Sequence, residues 1–132
     1  MKFKQVYKVL LVALVTISSF CSVSAKSNIS NNIIYNLEEK DGILVGQTLY
    51  KQEGKELSQY LKYNYVYDNQ NRIVENNILR WDEDNNRWGK ALTVRYQYDG
   101  QNVNTKSYMW DASRQEYKLI PQFNKQFLDT NL

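Results

Sequence analysis

Apolar and polar residues alternate along most of the chain beyond residue 32. Leu57, Leu61, Tyr63, Tyr65 and Tyr67 fall on one side of an extended segment, with Tyr60, Lys62, Asn64 and Asp68 on the other. That is the period of two of a strand with one buried face. The pattern recurs with Trp88, Leu92, Val94, Tyr96 and Tyr98 opposed to Thr93, Arg95 and Gln97, and again with Tyr117, Leu119, Phe123 and Phe127. A one-residue slip would carry each set into water, so the register of these segments is well specified. The segments between them are mixed: Ile73, Leu79 and Trp81 lie on one side, Val74 and Ile78 on the other. No segment here has helical periodicity.

Polar turns punctuate the strands at Glu53-Gly54-Lys55, Asp68-Asn69-Gln70-Asn71, Asp84-Asn85-Asn86-Arg87, Asp99-Gly100-Gln101-Asn102 and Ser113-Arg114-Gln115-Glu116. Asp and Asn bond their own backbone and tolerate left-handed conformations, and Asp-Gly is a strong hairpin signal. The turns delimit about six strands, near 43–52, 56–67, 73–82, 88–98, 103–112 and 117–127. The chain also repeats itself with a period of about 30 residues: Tyr65-Val66-Tyr67-Asp68 recurs as Tyr96-Gln97-Tyr98-Asp99 and, more faintly, as Tyr35-Asn36-Leu37-Glu38. Each is followed by a β-branched residue (Ile43, Ile73, Val103), an aromatic (Tyr50, Trp81, Trp110) and, seven residues on, another large apolar side chain (Leu57, Trp88, Tyr117). The expected fold is all-β: an antiparallel meander built from three hairpin repeats. With no helix to cover it, such a meander has to curl into a curved sheet or incomplete barrel.

The N-terminus changes the domain and charge picture. Lys2, Lys4 and Lys8 precede the apolar run Val9–Val15 and then Val23-Ser24-Ala25. A basic start, a short apolar stretch and small residues before a cleavage point read as a secretory signal over residues 1–25, with an uncleaved anchor as the rival reading. The run is shorter than the ~20 apolar residues a membrane span needs, so no stable span is expected after cleavage. Residues 26–32 form a polar leader, and 33–132 a single β domain. The expected location is the periplasm, the cell surface or the medium.

The signal carries three of the 17 basic residues and none of the 14 acidic ones, so the exported chain is formally neutral. It lacks the surplus of Lys and Arg that non-specific nucleic-acid binding requires. Cys21, the chain's one cysteine, goes with the signal; the lipidation alternative meets a bulky Phe20 where Gly or Ala would be expected. The domain then has neither disulfides nor thiolate chemistry. The chain has no His, which removes most acid-base and metal-site designs.

Trp81, Trp88 and Trp110, with the ten tyrosines of the exported chain, are the most suggestive binding set. Flat aromatic side chains stack on sugar rings and offer rigid contact area at small entropic cost. Asp82 and Asp111 follow two of the tryptophans directly and join them as candidate ligand-binding residues. The opposing reading makes the same aromatics hairpin core and cross-strand pairs. Asp82-Glu83-Asp84-Asn85-Asn86 spaces oxygen ligands as a calcium loop does, but Arg87 and Thr93 stand where a calcium hand needs Gly and Glu. Nothing places its acids on opposite walls of a cleft, as a glycosidase pair requires. Neither a metal nor a cofactor is expected, and no catalytic residue is assigned.

Tyr65-x-Tyr67-Asp68-x-x-Asn71-Arg72-Ile73 and Tyr96-x-Tyr98-Asp99-Gly100-x-Asn102-Val103 resemble the Tyr-Asp repeat of bacterial Rhs-type wall proteins and toxin shells, with Asn71 in place of the usual Gly. Signal, size and repeat together resemble more closely a family of short exported bacterial proteins known as domain of unknown function 3836. That resemblance implies an exported, mainly antiparallel β protein and brings no catalytic residues with it. The expected function is a non-catalytic binding module for a glycan or a protein, with homodimerisation open to it. The alternative is a structural or self-assembling envelope protein whose aromatics are all core.

Overall fold

The computed structural model describes residues 32–129; the expected signal over 1–25 and the leader as far as residue 31 lie outside them. The described chain is all-β apart from one short 3-10 turn. Its strands are β1 (Ile33–Lys40), β2 (Ile43–Glu53), β3 (Glu56–Tyr67), β4 (Ile73–Asp82), β5 (Arg87–Asp99), β6 (Asn102–Asp111), β7 (Glu116–Leu119) and β8 (Lys125–Leu128). They form one open antiparallel sheet in the order β1 to β7, with β8 also lying against β6.

Eight strands thus replace the expected six, at the two ends of the sheet. β3 and β4 start and stop at the expected residues, and β2, β5 and β6 agree within one. Ile33–Lys40 adds a strand in front, joined to β2 by a two-residue turn whose Asp41 and Gly42 both have positive φ, 52° and 74°. That is the turn whose twist matches a hairpin. At the other end, the strand expected over 117–127 is broken. Proline cannot donate to a ladder, and Pro121 opens the 3-10 turn Pro121–Phe123 between β7 and β8. The Ile120 N–H still reaches the Ser107 carbonyl at 2.8 Å, and the Asn124 side chain accepts from the Ser107 N–H at 3.3 Å. The excursion turns Ile120 into the core and packs Phe123 against it.

The loop from β3 to β4 shows why Asn can replace Gly in a hairpin. Asn71 has φ 58°, the left-handed position that closes a three-residue hairpin loop and that Asn tolerates. Asp68 fixes the rest. One of its carboxylate oxygens accepts from the N–H groups of Gln70 and Arg72, both at 2.9 Å, and the other from the Arg72 guanidinium at 2.8 Å.

The inner face of the sheet carries the core: Leu44, Leu49, Leu61, Tyr63, Tyr65, Ile73, Ile78, Leu92, Val94, Tyr96, Val103 and Ile120. Tyr63 is 1% exposed and Val103 0%, although among the described residues no second layer covers them. A single sheet can do this only by wrapping around its own face. Bulges supply the bend, because an extra residue in one strand kinks it and raises its twist. Register shifts occur in four ladders, leaving Val45, Tyr60, Val74 and Ala91 as the extra residues.

Each bulge also changes which parity faces inward, and this corrects two of the expected rows; the break at Pro121 corrects the third, leaving Tyr117 and Leu119 on the outer face and Phe123 and Phe127 on the inner one. The extra Tyr60 separates Leu57 from Leu61, so Leu57 lies on the outer face, 55% exposed, while Tyr60 packs on the core. The extra Ala91 likewise separates Trp88 from Leu92: Leu92 pairs with buried Ile78, whereas Trp88 pairs with Trp81, three residues along β4 from Ile78 and therefore on the opposite face. The mixed patterning of β4 has the same cause, since Val74 is the extra residue between Ile73 and Ile78, both buried.

Candidate functional site

Two hairpin ends bring the chain's tryptophans together. Trp81 on β4 and Trp88 on β5 are directly opposed beside the β4–β5 turn, their rings edge to face with centroids 5.1 Å apart. Trp110 on β6 and Tyr117 on β7 repeat the arrangement beside the β6–β7 turn, at 5.0 Å. Lys90, on β5 two residues from Trp88, bridges toward the second pair. Its ammonium lies 4.3 Å from the Trp110 ring centre and 5.9 Å from that of Tyr117. Alternation along β6 from buried Val103, Thr105 and Ser107 places Trp110 on the outer face, with Tyr108 two residues before it. The Arg95 guanidinium lies over the Tyr108 ring at 4.9 Å.

The result is an aromatic corner on the outer face, at the end of the sheet where two turns meet. All four paired rings are half-buried. Elsewhere on that face exposed apolar side chains such as Leu57 and Val66 alternate with polar ones that pair with one another: Lys62 with Glu38 and Arg95 with Glu75, both at 3.3 Å, and the Thr93 hydroxyl donating to Asn77 at 2.8 Å. Lys90 differs, since among the described residues no carboxylate stands within ion-pair distance of it and its neighbours are ring faces.

Asp82 and Asp111 sit at the mouths of the two turns, and their oxygens serve the backbone there. Asp82 accepts from the Asn85 side chain at 2.8 Å and from the Asn85 N–H at 3.2 Å. Asp111 accepts from the Ser113 hydroxyl at 2.6 Å and from the N–H groups of Ser113 and Arg114 at 3.0 and 3.2 Å. These bonds hold both carboxyls below the usual carboxylate range, led by the Asn85 side chain for Asp82 and the Ser113 hydroxyl for Asp111. Both acids shape the turns that present the corner. Among the described residues no three acidic side chains converge as a metal centre would require, and no helix is long and apolar enough to cross a membrane.

Trp81, Trp88 and Trp110, separate candidates in the sequence, therefore share one surface. Lys90 and Tyr117 are its unanticipated members. Tyr117 stands seven residues after Trp110 as Trp88 does after Trp81, so spacing could have found it. Lys90 carries no such signal, because its placement depends on the bulge at Ala91.

Fold and corner together define a class: a single open, curled antiparallel sheet with an aromatic-and-lysine surface at one end. The chain belongs to the family of unknown function DUF3836, which matches residues 1–125. A DUF3836 protein of Bacteroides vulgatus is 37% identical, with a TM-score of 0.69 over 74% of this chain and 99% of that one. A DUF3836 protein of Parabacteroides distasonis, 24% identical, shares the fold with a TM-score of 0.67 over 76% of this chain and 93% of its own. A Bacteroides fragilis protein of unknown function does so at 18% identity and a TM-score of 0.64, over 70% of this chain and 68% of its own. No curated protein matches the chain.

Proposed function

We propose that this protein is an exported, non-catalytic binding module that takes a glycan on the aromatic corner formed by Trp81, Trp88, Lys90, Trp110 and Tyr117. The observation that carries this reading is the position of the corner. The rings stand on the outer face, where the core does not need them, and strand pairing fixes their orientation before any ligand arrives. A pyranose ring lays its C–H face on an indole, and an ammonium beside it donates to the hydroxyls. Preset geometry keeps the entropic cost of binding low. Export rests on the basic, apolar and small-residue series over residues 1–25.

The edge-to-face geometry of both pairs favours a second reading, in which the rings only clamp the hairpin ends and the protein is structural. Tryptophan fluorescence separates the two. With Trp81→Phe, Trp88→Phe and Trp110→Phe assigning the signals, the binding reading expects acrylamide and iodide to quench at least one indole. It also expects oligosaccharides to protect that indole and shift its emission. Blue-shifted emission resistant to both quenchers at all three sites, or no response across a glycan panel, would leave only the clamp.

A further inference from the structure

The two edges of the sheet are built differently. The β7–β8 edge is guarded: its strands are four residues each, Pro121 interrupts them, and Lys118 and Lys125 flank the gap. Short strands, Pro and Lys are devices that stop an edge from pairing with another chain. β1 has none of them along Ile33-Ile34-Tyr35-Asn36-Leu37. Ile34 there is 42% exposed and Tyr35 62%.

The hydrogen bonding of β1 shows what its edge offers. Ile33 stands opposite Lys51, and the Gln52 N–H donates to the Asn32 carbonyl at 2.8 Å. In an antiparallel ladder this makes Ile33–Lys51 a non-hydrogen-bonded pair. The N–H and C=O groups of Ile33, Tyr35 and Leu37 therefore point away from β2, toward the open edge. The side chains of the same three residues share the inner face. Ile33 and Leu37 pack against the core, while Tyr35 between them remains mostly in water, so the inner surface is left unfinished at this edge.

We propose that two copies of this chain pair antiparallel through β1, about a two-fold axis at Tyr35. In this register Ile33 of each copy faces Leu37 of the other, and Tyr35 faces Tyr35. All six outward backbone groups of each strand segment find partners, and each Tyr35 ring gains a neighbouring inner face to lie against. Charge disfavours registers shifted toward the acids. Glu38 falls opposite neutral Asn32 of the other copy, whereas sliding the strands to centre on Glu38 or Glu39 sets acids against acids, which destabilises a pair. A two-fold contact uses one patch twice and closes, so it ends at a dimer, and the guarded β7–β8 edge prevents growth beyond it.

The test is sedimentation velocity with light scattering on the exported protein across a wide concentration range. The wild type is expected to run as a dimer with a melting temperature that rises with concentration, and Tyr35→Lys as a monomer with unchanged circular dichroism and a cooperative, concentration-independent melt. Tyr35→Pro should behave like the Lys variant, because the lost N–H points outward and supports no bond within the chain. Cysteines report the register, since the exported protein has no thiol of its own. Under mild oxidation Tyr35→Cys should form a covalent dimer, since hydrogen-bonded partners lie ~5.5 Å apart at Cα. Ile33→Cys should not, because its two copies stand four residues apart along the strands, roughly 14 Å. A wild type that is monomeric throughout, a dimer indifferent to both Tyr35 substitutions, or equal cross-linking at Ile33 and Tyr35 would overturn the proposal.

Discussion

The inner and outer faces of this sheet use aromatic side chains for opposite ends. On the inner face the tyrosines of the central strands are buried or half-buried and their hydroxyls are tied down: Tyr98 donates to the Ile73 carbonyl at 2.8 Å, Tyr67 likewise to the Leu44 carbonyl, and Tyr65 to the Gln47 side chain at 3.4 Å. Each bond joins neighbouring strands, β3 to β2 and β5 to β4, but spans 18 to 25 residues of sequence. These tyrosines fill the core of a one-layer protein and brace its curl. On the outer face Trp81, Trp88, Trp110 and Tyr117 pair only locally, across single hairpins. The difference teaches that the global fold rests on the inner tyrosines, while the outer rings are free to be a surface.

The largest effect that would break or sharpen this contrast comes from Tyr63→Ala. Tyr63 has almost no exposed surface, and removing a large buried ring costs about 3–5 kcal/mol through lost burial and the cavity left behind. Against the 5–15 kcal/mol total of an ordinary domain, this should leave the protein marginal or unfolded. Urea denaturation followed by far-UV circular dichroism checks it. A loss below about 1 kcal/mol would mean that the inner face is not the core.

How far this contrast could be read from the sequence depends on the kind of signal. Turns announce themselves through side chains with a local mechanism, such as Asp41-Gly42, Asp68 with Asn71, and Asp99-Gly100, so most strand limits are legible within a residue. Pro121 is an equally local signal, and an unbroken strand over 117–127 has to ignore it. Bulges have no composition of their own. Val45, Tyr60, Val74 and Ala91 are ordinary strand residues, and only the pairing partner shows that each is one too many. Alternation carried across them assigns Leu57 and Trp88 to the wrong face. The tryptophans of the corner are legible as candidates from their side-chain chemistry, but their assembly with Lys90 is not.

The next effect is on pH. Burial pushes the hydroxyls of Tyr67 and Tyr98 up to about 12 from the usual 10. A group whose pKa is raised on folding stabilises the fold fully below its unfolded value and loses that contribution as pH rises through the folded value. The protein should therefore lose stability progressively between about pH 10 and about pH 12, with tyrosinate absorbance appearing together with unfolding. Tyr67→Phe together with Tyr98→Phe should flatten that decline while lowering stability at neutral pH by about 1–3 kcal/mol, since the Leu44 and Ile73 carbonyls lose their donors.

A smaller effect belongs to the turns. Burial alone would raise the Asp68 carboxyl, but the Arg72 backbone and side chain, the Gln70 N–H and the guanidinium charge together hold it below the usual range. Asp68→Ala should cost about 1–2 kcal/mol, as the loss of a capping carboxylate does elsewhere. The sign of its pH dependence is opposite to that of the tyrosines. A depressed carboxyl stabilises above its unfolded pKa and loses that contribution as pH falls through the folded one, so the gap between wild type and variant should close in acid, beginning near pH 4.

The smallest effect is the one that separates the faces. Trp110→Leu removes one ring of an outer pair and the surface under Lys90. An edge-to-face pair contributes about 0.5–1.5 kcal/mol beyond burial, and a half-exposed ring loses only part of its burial term. The variant should stay cooperatively folded, about 1 kcal/mol less stable than wild type in the urea experiment that Tyr63→Ala would fail. If it instead unfolds as Tyr63→Ala does, the outer rings belong to the core after all, and the corner has no freedom to serve a ligand. If it folds and loses glycan-dependent fluorescence changes at Trp81 and Trp88, the two faces have divided the aromatics between stability and binding.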